Sequence, residues 1–371
     1  MNILIDNAGF INKGAELMLR AVIQKSKEKY PASRRVINPH AVSGNIAQAI
    51  GEGLYIYRPD LIAGVVPQTV LSKIFSVKAN EIDLLLDAGG FQFSDQWINA
   101  YSEKGNQKLE KYYKTLKDNK AKLVFLPQAF GPFTLPLAID RIKIVYKYAD
   151  VLFARERISY DYLVKLFGES DKIVLMPDFT NLLKPKVALA QFIEDKKYVC
   201  VIPNLKMVSH TSKETSSGYI DFLIGICQDF IDKGEHLVLL NHEGIGDEEI
   251  LNKIQAGLSK EVLKLNNLNA LEVKAVIGKM KLLISSRFHG VVSGLSQGVV
   301  TFCTGWSHKY PELLADYKVP ENLLDIGDLP LAKQKVWEAL SNSNSVHHVK
   351  PDVITSLERQ SGLMWEKAFS V

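Results

Sequence analysis

The chain has 371 residues, too many for one ordinary core, and its length predicts two domains. Hydrophobic residues make up 47% and charged residues 23%, a globular composition that excludes long disorder, and no apolar run reaches the roughly 18 residues of a membrane span. The net charge of +4 is spread along the chain; it favours anionic substrates weakly and excludes the dense basic stripe of a nucleic-acid binder.

The opening, Met1-Asn2-Ile3-Leu4-Ile5-Asp6, lacks a basic leader and ends a short apolar run on a carboxylate. It reads as a first strand rather than a signal peptide. Short apolar runs then recur as strands at Leu54–Tyr57, Ile82–Asp87, Lys122–Pro127, Val151–Ala154 and Ile173–Met176. A second set lies at Tyr198–Ile202, His236–Leu240, Val262–Leu265, Leu282–Ser285 and Val299–Phe302. Helical periodicity marks Gly14–Lys29, Leu137–Tyr148, Tyr219–Lys233, Glu248–Leu258 and Leu271–Met280. Near-continuous apolar strands separated by helices predict parallel sheets covered on both faces.

The strandless stretch Phe179–Lys197, with Pro185 and several lysines, divides the chain into two Rossmann-like domains, 1–188 and 189–345. A C-terminal helical segment, 346–371, follows; by analogy with two-Rossmann enzymes it is expected to cross back onto the first domain. Cys200, Cys227 and Cys303 cannot all pair and form no CxxC or Cys/His cluster. Reduced, buried thiols, a cytoplasmic location and no metal are expected.

Ligands of open parallel sheets bind beyond the carboxyl ends of the strands. Five such ends carry residues with chemical potential, and an anionic small molecule in a cleft between the domains is expected there. After the first strand comes Asp6-Asn7-Ala8-Gly9, leading to Asn12-Lys13-Gly14; its backbone N–H groups can face an anion or form a plain glycine-rich turn. Asp87-Ala88-Gly89-Gly90 allows close approach of a ligand or of a neighbouring loop. Pro127-Gln128 through Gly131-Pro132 reads as a stiff polar loop suited to a sugar hydroxyl, or as a structural turn. Arg155 leaves a buried strand where a bidentate contact with phosphate or carboxylate is possible, whereas Arg157 reads as a surface charge paired with Glu156 or Asp161.

The fifth end is the most informative. Leu282–Ser285 runs into Ser286-Arg287-Phe288-His289-Gly290, which places a guanidinium and an imidazole at a helix start. That pair suits binding an anion and moving one proton. Lys309 follows the next strand and could converge on the same anion, or be exposed. His242, after strand His236–Leu240, could line the cleft, while Asp247 reads equally as an ordinary helix-start charge.

In order, Asn7…Gly14-Ala15-Glu16, Gly89-Gly90, Gln128…Gly131-Pro132, Arg155…Ser159, Ser286-Arg287-Phe288-His289 and the following Lys309 resemble the polysaccharide pyruvyl transferase family, over about residues 6 to 310. The resemblance implies a GT-B-like pair of domains and transfer of the pyruvyl group of phosphoenolpyruvate to a sugar as a cyclic ketal. The acceptor would be a polysaccharide or lipid-linked precursor of an exopolysaccharide or capsule, held by the first domain, with the donor on the second. It places His289 and Arg287 in catalysis, Arg155, Arg287, Lys309 and Ser286 at the donor, and Asn7, Gly9, Gly89, Gly90, Gln128 and His242 along the cleft. Phosphoenolpyruvate is then a co-substrate and no cofactor is implied. The sequence departs from the family at Phe288, where leucine is usual, at Ala88 in place of a first glycine, and at Lys13-Gly14 in place of Gly-Asp.

Two other readings stand beside it. One is a GT-B glycosyltransferase using a sugar nucleotide; the other is a non-catalytic protein that binds glycan precursors. Lysines at three- and four-residue spacing in Lys104–Lys122 form a face that is either solvated or in weak peripheral contact with an anionic membrane.

Overall fold

The computed structural model describes residues 1–40, 46–58, 75–185 and 193–371. They form two compact units: Met1–Ile11, Met18–Phe179 and Gln360–Val371 in unit 1, and Asn12–Leu17 with Thr180–Arg359 in unit 2. The boundary expected after residue 188 lies outside the described residues.

The first half of the chain runs β1 (Asn2–Asp6), α1 (Lys13–Lys29), β2 (Arg34–Ile37), α2 (Ile46–Gly51), β3 (Tyr55–Arg58), β4 (Ser76–Lys78), β5 (Leu84–Asp87) and β6 (Phe91–Phe93). It continues with α3 (Glu103–Asp118), β7 (Lys122–Phe130), α4 (Pro136–Tyr148), β8 (Val151–Ala154), α5 (Arg157–Phe167) and β9 (Ile173–Leu175). The strands pair in parallel in the order β4-β3-β2-β1-β5-β7-β8-β9, with β6 on the end of β7. Chain order runs outward in both directions from β1 and β5, so their carboxyl ends form the switch point where open sheets take ligands. The last residues of those strands, Asp6 and Asp87, are register partners.

Three of these strands, β2, β4 and β6, were not expected. They are short, and the arginines or alternating polar residues they contain hide their apolar positions. A second difference concerns Pro127 and Gln128, which lie inside β7 and not in a loop after it. The ladder between β7 and β8 shifts register between Phe125 and Gln128. Such an irregularity is where a strand tolerates a residue with no N–H to give.

Unit 2 contains β10 (Tyr198–Ile202), α6 (Lys206–Ser209), α7 (Lys213–Asp232), β11 (His236–Leu240), α8 (Ile245–Ala256), β12 (Leu263–Leu265), α9 (Ala270–Gly278), β13 (Leu282–Ser285), α10 (Phe288–Leu295), β14 (Val300–Cys303), α11 (Lys309–Asp316) and α12 (Leu329–Ser341). The final helix, α13 (Pro351–Ser370), begins in unit 2 and ends in unit 1. The five strands are parallel in the order β12-β11-β10-β13-β14, with the switch point between β10 and β13.

Period-two alternation explains the apolar runs. Val199, Val201, Leu237, Leu239, Leu282 and Ile284 enter one buried cluster with α7, while Cys200, Ile202, Val238, Leu240 and Leu283 enter another with α9. Both faces are covered, so the central positions of these strands are apolar on both sides. Cys200, Cys227 and Cys303 are free and buried, and burial pushes their thiols up. No helix among the described residues is long and apolar enough to cross a membrane.

Candidate functional site

In unit 2 the switch point is built from loops after β10, β11 and β13. Asn204 donates from its side chain to the Ser286 carbonyl (2.8 Å) and accepts from the Lys206 N–H (2.9 Å). The Tyr310 hydroxyl donates to the same Ser286 carbonyl (2.8 Å). The Ser285 hydroxyl closes a tight turn, accepting from the Arg287 N–H and donating to the Arg287 carbonyl, both at 3.1 Å. The backbone that carries Arg287 is therefore fixed from three sides before any ligand arrives.

Arg287 caps α10, and His289 is in its first turn, where N–H groups lack intrahelical acceptors. The Arg287 side chain is clamped by carboxylates. Its Nε and Nη2 donate to the two oxygens of Asp247 at 2.8 and 2.5 Å, and its Nη1 pairs with Glu243. Arg287 is 8% exposed and Asp247 is fully buried. Burial pushes the Asp247 carboxyl up to about 7 and the Arg287 guanidinium down to about 10. The bidentate contact opposes both shifts, because it favours the charged form of each group.

Asp247 is the partner of Arg287 that the sequence obscured. An acid in the first turn of a helix ordinarily faces solvent and complements the dipole. Here it is the third residue of α8 and turns inward to Arg287, and its Oδ1 also accepts from the Leu205 N–H (3.1 Å). Glu243 is held in turn by the Asn12 amide, whose own Oδ1 accepts from the Gly14 (2.8 Å) and Ala15 (3.2 Å) N–H groups at the start of α1.

Gly14 makes the imidazole's place possible. A Cβ there would lie 2.5 Å from His289 Nδ1, so only a glycine lets the backbone approach the ring. His289 is buried, with its ring edge-on to Phe288 at 5.4 Å. His242 is also buried, and its Nδ1 has no hydrogen-bond partner among the described residues. Burial, then the charges of Arg287, His289 and Lys13, hold the His242 imidazole well below its usual range. Carboxylates meet two of these charges, Asp247 and Glu243 that of Arg287 and Glu16 that of Lys13 (3.0 Å).

Lys309 is not an exposed lysine at a strand end. It is the first residue of α11, 8% exposed, with its ammonium 4.4 Å from the Trp306 ring centre and 5.5 Å from that of Phe288. The aromatic faces favour a desolvated cation there. Ser286 is buried, and its hydroxyl is engaged by Tyr219 (2.6 Å) and Thr304 (2.7 Å).

Arg155 belongs to unit 1. It is buried against Glu156 (3.3 Å) and Asp178 (3.5 Å), so carboxylates of its own unit meet its charge. Glu156, expected to pair with Arg157, also accepts from the Ser159 hydroxyl, while exposed Arg157 lies over the Tyr160 ring.

The remaining expected residues of unit 1 gather at the switch point of its sheet. Asp87 is fully buried and accepts from Asn7 Nδ2 (2.7 Å), Gln92 Nε2 (2.6 Å), Gln128 Nε2 (3.2 Å) and the Gly89 N–H (3.0 Å). Gln128 is thus an interior residue that orders the carboxylate. The Gly90 carbonyl accepts from the Ala129 N–H (3.0 Å), and Gly9 is buried in the loop after β1. Asp6 accepts from the Tyr112 hydroxyl (2.9 Å) and the Asn7 N–H (3.0 Å). Burial, and next the charge of Asp6, push the Asp87 carboxyl up to about 7; burial also raises that of Asp6. On the lysine-rich helix α3, Lys114 pairs with Asp118 (2.6 Å) and Lys117 with Asp150 (2.8 Å).

This fixed Arg-x-His at a strand end lies within residues 12–308, which match the family model for polysaccharide pyruvyl transferase. The chain belongs to that family. No curated protein matches the sequence significantly. Among solved structures it is similar to a putative UDP-N-acetylglucosamine 2-epimerase from Listeria monocytogenes, at TM-score 0.64 and 11% identity, over 99% of this chain and 94% of that one. It is also similar to the UDP-GlcNAc 2-epimerase of Neisseria meningitidis bound to UDP-GlcNAc, at TM-score 0.63 and 11% identity over the whole of both chains. A glycosyltransferase from Rickettsia africae follows at TM-score 0.59 and 11% identity, over 99% and 96%. At this identity the likeness shows the fold: a family transferase on a GT-B-like frame of two parallel sheets.

Proposed function

We propose that the protein transfers the pyruvyl group of phosphoenolpyruvate to a sugar of a polysaccharide or lipid-linked precursor, forming a cyclic ketal. The observation that carries this reading is the clamped Arg287 with His289 in the next half-turn, in a chain of the pyruvyl transferase family. Phosphoenolpyruvate has a phosphate and a carboxylate, and Arg287 and Lys309 supply fixed cations in unit 2. His289 is the general acid: it protonates the enol methylene and makes C2 electrophilic towards a sugar hydroxyl. The first hydroxyl adds at C2 and gives up its proton to His289, which restores the acid. A second then displaces the phosphate, which leaves with one hydroxyl proton. His242, neutral beside these groups, can donate its ring N–H to an oxygen of phosphoenolpyruvate. Asp247 acts on none of the reacting atoms; it positions Arg287.

A sugar-nucleotide reaction is supported by the fold likeness to an epimerase bound to UDP-GlcNAc. Ligand-dependent melting separates the two. Phosphoenolpyruvate should raise the melting temperature of the wild type and not of Arg287→Lys, which loses the forked contact. Protection by UDP with none by phosphoenolpyruvate would overturn the proposal in favour of the nucleotide.

A further inference from the structure

Unit 1 has a cavity of about 220 Å³ at the carboxyl ends of β1 and β5. We infer that this cavity binds the ring of a neutral polyhydroxy ligand, the acceptor sugar of the proposed reaction, through Asp6, Asn7, Gln92 and Arg141. Taking the ligand as the acceptor rests on the reading above; the site itself rests on its chemistry.

The lining is polar, with aromatic edges. Asp6, Asn7, Asn38, Gln92 and Arg141 face the cavity, and Tyr113 gives it an apolar wall. Buried Asp87 orients two of these groups. The NH2 ends of Asn7 and Gln92 are tied back to Asp87, at 2.7 and 2.6 Å, so their carbonyl oxygens are directed away from it as acceptors. Asn7 holds a left-handed backbone, φ 56°, which the bond to Asp87 helps to maintain. Arg141 gives Nη1 to Asn106 (3.0 Å), but its Nε is buried with no hydrogen-bond partner among the described residues. A buried N–H without an acceptor is costly, and an oxygen in the cavity would satisfy it.

A hydroxyl both donates and accepts, so a sugar can give protons to Asp6 and to the amide oxygens while its own oxygen accepts from Arg141 Nε. A C–H face of the ring can pack on Tyr113. The carboxyl of Asp6 lines the site opposite the Arg141 guanidinium, with His40 beside them, so the cavity offers donors and acceptors together rather than a cluster of cations for an anion. The volume is below the range for drug-sized ligands and suits one small ring.

The test measures binding of glucose, galactose, mannose and N-acetylmannosamine to the full chain without phosphoenolpyruvate, by saturation-transfer NMR and calorimetry. At least one sugar should bind the wild type, and both Asp6→Asn and Arg141→Met should weaken it tenfold or more. Arg287→Lys, in unit 2, should bind that sugar like the wild type. Melting curves identify any variant that fails to fold, and the other then carries the comparison. Wild-type affinity in a folded Asp6→Asn and a folded Arg141→Met, or no binding by the wild type of any of the four sugars, would overturn the inference. Sugar binding without pyruvyl transfer would sink the reaction and leave this site standing. Pyruvyl transfer with an unchanged acceptor KM in both variants would do the reverse.

Discussion

Replacing Asp247 with Asn leaves the Arg287 guanidinium 8% exposed and takes the charge from its bidentate partner, while Glu243 still meets Nη1. Removing one partner of a buried ion pair costs about 3–5 kcal/mol. The retained contact with Glu243 puts the expected loss at the lower end, about 3 kcal/mol. In a unit of this size each kcal/mol moves the melting temperature by about 2–4 °C, so Asp247→Asn should melt about 6–12 °C below the wild type by calorimetry. The double variant Asp247→Leu with Arg287→Met removes the buried pair, leaves the more exposed Glu243 on the Asn12 amide, and should regain much of that loss, since the cost lies in the buried charge left behind. A single variant that melts within about 2 °C of the wild type would refute the reasoning. So would a double variant no more stable than Asp247→Asn.

Replacing His289 with Ala should lower turnover on the order of 100-fold or more while the protein remains folded, and near-normal turnover would remove it as the general acid. Gly14→Ala would place a Cβ 2.5 Å from His289 Nδ1; the ring must move, and turnover should fall at least tenfold with little change in the kcat-independent melting curve. An unchanged rate in that variant would show that the ring position does not matter. Asp87 gives a pH signature: its carboxyl is raised to about 7, so the folded state holds a proton that the unfolded chain releases near the ordinary carboxylate range. Its stabilisation is complete below that range and is lost as pH rises through about 7, at up to about 1.4 kcal/mol per pH unit. Urea unfolding at pH 5 and pH 8 should show a smaller drop for Asp87→Asn than for the wild type; equal drops would contradict the shift.

The sheet cores were legible because strands covered on both faces run as continuous apolar stretches, as in Val199–Ile202 and Leu282–Ile284. The strand Arg34–Ile37 was not, since it begins with two arginines, and neither was Ser76–Lys78, only three residues long at the sheet edge. Arg287 and His289 stood out because a strand end followed by a helix start is where charge has a reason to be. Their support did not. Asp247 lies 40 residues before Arg287 and Asp6 lies 81 before Asp87, and only folding brings the members of each pair together. Gln128 looked like a loop residue because Pro127 precedes it, whereas the register shift in β7 absorbs the proline and buries the amide. Lys309 gave no sign of burial, because its aromatic neighbours Trp306, Phe288 and Tyr310 act together only once α10 and α11 are formed.

The central claim is tested most directly by incubating the purified protein with phosphoenolpyruvate and a panel of aryl- and lipid-linked sugars, and following phosphate release together with product mass. The account predicts phosphate release matched by a product heavier by one pyruvylidene group, abolished in His289→Ala. Turnover of a sugar nucleotide under the same conditions, with phosphoenolpyruvate left intact by every acceptor, would contradict it.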